Sequence, residues 1–209
     1  MASFDERAKS WDVDPAKVER ALVVANAIRT QVLHKPGMNA LEYGCGTGLL
    51  GFALQQDFAS ITLADTSQGM LDVLAGKIKR AGVGNMHPLL LNLVSEPAPS
   101  AHFDIIFTLM SMHHILETIT VLKKFFSMLT KGGFLCIADL EKEDGSFHGP
   151  QITDVHNGFE RNSLQKQVET AGFGMVRFSS IFSVRKQVGE VEKAFPMFLM
   201  VARKDNDRN

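Results

Sequence analysis

The chain predicts a doubly wound α/β fold, an open and mostly parallel sheet with helices on both faces. Three observations carry that expectation. A glycine-rich turn, Gly44-Cys45-Gly46-Thr47-Gly48, joins an apolar strand to a helix starting at about Leu49. A second, β-branched run, Ala59-Ser60-Ile61-Thr62-Leu63-Ala64-Asp65, ends in a carboxylate and leads directly into another amphipathic helix. Strand and helix patterns then keep alternating to residue 141, the order of successive βαβ units.

Taken in order, residues 15–32 are expected to form an amphipathic helix, with Val18, Leu22, Val23, Ala25, Ala27 and Ile28 supplying much of its apolar surface. Ahead of it, the run from Phe4 to Asp12 contains the single tryptophan, Trp11. The first strand carries Glu42 toward the glycine turn. Glycines at 44, 46 and 48 leave that turn without Cβ atoms, so its backbone can adopt φ > 0 and a ligand can lie against it. The N–H groups of the following helix suit an anionic or polar group there. Such a turn also occurs without a ligand.

Asp65 ends the second strand about 20 residues beyond the glycines, where doubly wound folds place a carboxylate to accept ribose hydroxyls. Its other reading is a residue that merely leads into the next helix, N-capped by Ser67. The third strand, 86–93, ends in Asn92-Leu93, and the fourth, 103–110, in Leu109-Met110. Ser111-Met112-His113-His114-Ile115 then opens a helix running to about Leu129. Gly132-Gly133 reads as the stop of that helix before a buried fifth strand. Residues 141–161, with Gly145, Gly149, Pro150 and Gly158, are too long for a plain turn and read as a functional loop or lid. A helix over 163–170 and strands over 175–185 and 195–202 complete the sheet, and residues 204–209 read as a frayed polar tail.

The glycine spacing separates two ligand classes. A dinucleotide turn is G-x-G-x-x-G, but Leu49 stands where its third glycine belongs. The run from Glu42 to Gly48 instead resembles motif I, [DE]-x-G-x-G-x-G, of the class I S-adenosylmethionine-dependent methyltransferases. The resemblance continues through Asp65, the Phe103-Asp104 pair and Gly132-Gly133, and covers about residues 37–141. It implies strand order 3-2-1-4-5-7-6 with strand 7 antiparallel. It further implies one domain overall, with a cap and helix over 1–36 and the methyltransferase core over 37–209.

The cofactor implied is S-adenosylmethionine, with S-adenosylhomocysteine as product. By the same resemblance, Glu42, Gly44, Cys45, Gly46 and Gly48 serve its methionine part, and Asp65 the ribose. Thr66 and Met70 neighbour the adenosine, Asn92 and Leu93 meet the adenine, and Leu109 and Met110 complete the pocket. Family members often carry an Asp-Ala pair where this chain has Asn92-Leu93. Asn92 can still accept a hydrogen bond through its carbonyl oxygen, and Leu93 offers a backbone N–H and an apolar wall. The N-terminal segment resembles the cap that small members fold over the cofactor, with Trp11 either in the core or against the ligand.

The activity implied is methyl transfer to O, N or S of a small molecule. The alternative is a non-catalytic cofactor-binding module that partners or regulates another enzyme. The Asn-Pro-Pro-Tyr tetrad of methyltransferases acting on bases or glutamines is absent after the fourth strand. With 209 residues, 45% apolar content and net charge −1, the chain is expected to be one soluble domain with a substantial core. Its cations are dispersed, so no nucleic-acid partner is expected. No apolar run approaches the ~20 residues of a membrane span, and the N-terminus lacks signal-peptide character. Cys45 and Cys136 read as buried thiols of a reduced, cytoplasmic protein.

Four of the seven histidines fall near the expected mouth: His113 and His114 after strand four, His148 and His156 in the following loop. Imidazole suits a general base for a protonated nucleophile at neutral pH, worth ~10²–10⁴-fold. His113 and His114 also read as framework residues. Together with Asp139, Glu141 and Asp154 they show no recognisable ligand spacing, so no metal is expected.

Overall fold

Seven strands hydrogen-bond into one sheet in the order β3-β2-β1-β4-β5-β7-β6. They are β1 (Asn39–Tyr43), β2 (Ser60–Asp65), β3 (Met86–Leu90), β4 (Phe103–Leu109), β5 (Leu129–Leu140), β6 (Gly174–Val188) and β7 (Val191–Arg203). The computed structural model describes residues 4–32, 35, 37–149 and 151–205. Pro150 and residues 206–209 of the expected tail lie outside them. Strands β1 to β5 pair in parallel, whereas β7 runs antiparallel between β5 and β6. This is the expected doubly wound architecture, order and strand direction.

Two apolar layers flank the sheet. Along β4, Ile105 and Phe107 join one core with Val24 and Ile28 of α2 (Pro15–Gln31), Leu50 of α3 (Leu49–Ala53) and Leu74 of α4 (Gln68–Ala81). The alternate residue Ile106 joins the other, with Phe125 of α5 (Thr118–Met128) and Leu164 of α6 (Arg161–Thr170). The two-residue period sends neighbours to opposite faces, and burial of both faces explains the nearly continuous apolar run of β4. The first helix, α1 (Phe4–Arg7), precedes these layers and passes into a 3-10 segment, Ala8–Val13.

Because β1 has β2 on one side and β4 on the other, the connections reverse direction between β1 and β4. Open α/β sheets usually bind ligands at such a reversal, beyond the carboxyl ends of the strands. The glycine turn follows β1 and the Met112–His114 3-10 turn follows β4, so both stand at this switch point.

Several expected boundaries move. In α2 the buried stripe is Ala21, Val24, Ala25 and Ile28, an i, i+3, i+4, i+7 set, whereas Val18 and Leu22 are exposed. Helix α5 begins only at Thr118 and ends at Met128, so His113 and His114 belong to a separate turn and Gly132-Gly133 do not stop the helix. The glycine pair lies inside β5, near the slip in β4–β5 register. Gly132 has φ +78°, and a Cβ on Gly133 would fall 3.0 Å from the carbonyl oxygens of Asp104 and Thr130. The β6–β7 hairpin is longer than expected, because exposed polar residues such as Gln187 and Glu192 also pair across it. Lys204 is not frayed, since its Nζ donates to the carbonyls of Phe126 (2.7 Å) and Leu129 (2.8 Å). No helix among the described residues is long and apolar enough to cross a membrane.

Candidate functional site at the switch point

The glycine turn is pinned to β2 by Gly44 and Cys45, whose N–H groups donate to Ala64 O at 2.8 and 3.0 Å. Gly44, Gly46 and Gly48 have φ of +71°, +53° and +79°, but they leave room for different things. A Cβ on Gly44 would meet Ser111 Oγ at 2.3 Å, and one on Gly48 would meet Leu74 Cδ1 at 2.6 Å. Those two glycines accommodate the protein's own side chains. At Gly46 the nearest atoms are 3.9 Å away, Met70 Sδ and Trp11 Nε1. Gly46 is therefore the point where a ligand can reach the backbone.

Asp65 braces that point. One carboxylate oxygen accepts from Gly46 N at 2.7 Å and the other from Ser67 N at 2.9 Å. Burial raises its pKa, and the N–H groups of Ser67, Gly46 and Thr66 oppose the rise. Ser67 caps α4 through Met70 N. Met70 is buried and Thr66 exposed. Glu42 lies beneath the turn, where its side chain occupies the space next to Gly51. Burial pushes its pKa up to about 8, with the Gly51 N–H pulling the other way, so it carries a proton at neutral pH. Beyond β3, Asn92 Oδ1 accepts from Val94 N (3.0 Å), and the buried Leu93 donates its N–H to Tyr43 Oη (2.9 Å). Both groups thus already have partners inside the protein.

Across the switch point, Met110 takes φ +54° at the end of β4 with its N–H on Ala138 O (2.8 Å). Ser111 Oγ then donates to Gly44 O at 2.9 Å and to Leu109 O at 3.1 Å, joining the two sides of the switch point. His113 is buried with Nδ1 2.6 Å from Asp139 Oδ1, and Asp139 ends β5 almost wholly buried. Burial alone would raise the Asp139 pKa. His113 and the N–H groups of Leu140 and His113 outweigh it and hold the carboxyl below its usual range.

The four expected histidines do not form one group. The ring centroids of His113, His114 and His148 lie 4.2, 5.0 and 5.1 Å apart. Burial, with the neighbouring imidazole of His113, depresses His114 to about 3 and His148 to about 4. His156 lies apart. Its Nε2 is 3.1 Å from both Thr118 Oγ1 and Ile115 O, and because a carbonyl only accepts, that nitrogen carries the proton. Its backbone N–H donates to His113 O at 2.7 Å, so His156 braces the turn that carries His113.

The described residues between β5 and α6, 142–149 and 151–160, are a docked loop. Lys142 N and Glu143 N donate to Phe159 O and Asn157 O, both at 2.9 Å. Arg161 pairs with Glu141, and Lys193 with Asp144 at 2.7 Å. Phe147 packs edge-on against Phe195 and His148, with centroids 5.1 and 4.9 Å away. An open recess of about 500 Å³ within this loop, lined by Asp144, Ser146, Ile152 and Asn157, shares no residue with the glycine turn.

The N-terminal segment closes the site from the other side. Asp12 accepts from Thr47 Oγ1 and pairs with Lys77 at 2.6 Å, while Lys77 also donates to Thr47 O at 2.8 Å. Asp5 accepts from Ser67 Oγ and from Gly69 N (2.8 Å) at the start of α4. Trp11 is half-buried over Gly46 rather than packed in the core, and Phe4 packs against both Trp11 (6.0 Å) and His114 (5.4 Å). Asp5, Asp12, Lys77 and Ser111 escape a sequence reading because no spacing marks them. Only the acidic residues within the capping segment hint at such anchors.

Residues 40–133 match the family model of the methyltransferase domain. The chain carries a class I methyltransferase domain. An uncharacterised methyltransferase of Schizosaccharomyces pombe is 32% identical over 146 residues, covering 62% of this chain and 51% of that protein. The ubiquinone biosynthesis O-methyltransferase of Marinobacter nauticus is 26% identical over 153 residues, covering 70% and 64%. The chain thus spans between about half and two thirds of the length of these relatives. A solved S-adenosylmethionine-dependent methyltransferase from Aquifex aeolicus superposes with a TM-score of 0.68 at 19% identity, covering 95% of this chain and 97% of that one. It has the same fold as this methyltransferase domain.

Proposed function

We propose that this methyltransferase domain uses S-adenosylmethionine to methylate O, N or S of a small-molecule acceptor. One observation carries the reading: at the switch point Gly46 leaves an opening free of Cβ, bordered by Met70 and Trp11, and the Asp65 carboxylate braces it 2.7 Å from Gly46 N. That cradle fits the cofactor, which supplies a methyl group on a sulfonium sulfur when bound. The turn from Gly44 through Cys45 and Gly46 to Gly48 would lie along its methionine part, with Glu42 supporting the turn from below. Asp65 would take ribose hydroxyls, and Thr66 and Met70 would flank the adenosine. Asn92 would border the adenine end with the buried Leu93 packed behind it, and Leu109 and Met110 would border the β4 side.

On the acceptor side, Phe4 and Trp11 cover the switch point and limit water, while docking holds the nucleophile in place. The ring of His113 is oriented by its contact with Asp139. His114 and His148 stay uncharged at neutral pH and line the same cluster. His156 acts by bracing the turn. The name of the Marinobacter nauticus relative supports a small acceptor methylated on oxygen.

Calorimetry against S-adenosylmethionine, S-adenosylhomocysteine and NAD(H) tests the reading, with binding expected for the first two only. Asp65→Ala should weaken S-adenosylmethionine about tenfold or more, as hydrogen bonds to a charged group contribute ~1.5–3 kcal/mol. A loss below about threefold, under the lower end of that range, would reduce Asp65 to a brace for the turn. Binding without turnover on any acceptor tried would favour the non-catalytic module.

A further inference from the structure

We propose that His113, His114 and His148 bind one divalent transition-metal ion, with Asp139 as the carboxylate that orients His113. One ligand nitrogen from each ring lies within 4.8 Å of the others. Around a tetrahedral ion with metal–nitrogen bonds of ~2.0–2.1 Å, such nitrogens stand about 3.3–3.4 Å apart. Side-chain rotations of roughly an ångström therefore close the site.

Two independent features point to an ion there. The first is the buried contact of His113 Nδ1 with Asp139 Oδ1, 2.6 Å long, while Asp139 is further held by His113 N (3.2 Å) and Leu140 N (2.8 Å). With Nδ1–H committed to the carboxylate, Nε2 is the ring's free lone pair. A carboxylate behind a ligating imidazole is the usual device for setting its tautomer and raising its basicity. The second is His148 Nε2, a buried nitrogen with no hydrogen-bond partner. Leaving such an atom unsatisfied is unfavourable, and a coordinate bond removes that cost.

The donor set selects the class of ion. Three imidazoles with no carboxylate in direct contact suit Zn²⁺, Co²⁺, Ni²⁺ or Cu²⁺, whereas Mg²⁺ and Ca²⁺ need oxygen ligands. The ligands come from the turn after β4 and the loop after β5, and Phe147 anchors that loop on Phe195. Three protein ligands leave a fourth position open. A consequence that rests on the proposed methyltransferase activity is that an ion held there would lower the pKa of an acceptor O–H or S–H, whose proton would pass to water.

The test is titration of the full, chelator-stripped chain with Co²⁺ alone as the probe. One equivalent should bind with the d–d absorption of a four-coordinate ion, and Zn²⁺ should displace it. Asp139→Asn should weaken binding about 10–100-fold, and loss of a ligand in His114→Ala or His148→Ala should weaken it at least as much. His102→Ala, at an exposed histidine outside the cluster, should keep the affinity and the spectrum. His148 is a half-buried loop residue, so its variant should stay folded, which circular dichroism checks. No Co²⁺ uptake by the wild-type protein, or unchanged uptake in both His114→Ala and His148→Ala, would overturn the proposal. S-adenosylmethionine calorimetry on the metal-free protein reads the cofactor site separately, so either idea can fail while the other stands.

Discussion

The two sides of the switch point are built on different principles. On the β1 side the turn from Gly44 to Gly48 is a single uninterrupted string, and its shape follows from three glycines with positive φ. On the β4 side the histidine cluster assembles from separate segments, with His113 and its partner Asp139 26 residues apart. The family match over residues 40–133 takes in the whole turn, along with His113 and His114, but stops before Asp139 and His148. The contrast separates what lies wholly inside the matched region from what reaches beyond it. The turn is encoded in one contiguous string, whereas the cluster exists only once separate segments converge.

If the turn is the cofactor side, its most vulnerable position is Gly46. Gly46→Val should abolish S-adenosylmethionine binding, because branched methyls would fill the opening at a backbone position with φ +53°. The sheet should still form, as seen by circular dichroism. Wild-type affinity in this variant would place the cofactor away from the turn and erase the contrast.

The next effect concerns pH. Folded Glu42 holds its proton up to about pH 8, whereas the unfolded chain releases it near 4.5. Ionisation of the unfolded form therefore draws the equilibrium toward it. Stability contributed by this group is full below pH 4.5 and declines by ~1.4 kcal/mol per pH unit until about pH 8. Glu42→Gln should remove that slope, so variant and wild type diverge in urea denaturation as pH rises. Parallel curves would mean that Glu42 is ionised beneath the turn.

The smallest effect tests the cap. Asp12→Ala removes the partner of Thr47 and Lys77 at a partly exposed site, which should cost about 1 kcal/mol. Trp11, the chain's single tryptophan, should report the loosened segment through its fluorescence, with little change in global unfolding. An unchanged emission spectrum would mean that the cap is held by Asp5 and aromatic packing alone.

Legibility followed the range over which each feature is encoded. Helix α4 was readable because Ser67 caps Met70 N within its own first turn. The end of β4 was less so: the break that sets His113 and His114 in their own turn depends on Ser111 meeting Gly44 and on His156 meeting His113 O. The glycine pair at 132–133 could pass for a helix stop because strand slip and helix termination both call for glycine.

Side-chain periodicity and the φ requirements of glycine are properties of short segments, so the amino-acid order alone was enough for the strand succession, the glycine turn and the place of Asp65 at the end of β2. Whether a glycine faces a ligand or a neighbour depends instead on what the fold brings to it. Folding put Ser111 and Leu74 against Gly44 and Gly48, committed the Leu93 N–H to Tyr43, and laid Trp11 over Gly46. It also drew His148 to His113 and His114 while leaving His156 outside. Each of these contacts joins segments whose separation carries no periodic signal, so their geometry is defined only once both faces of the sheet are packed.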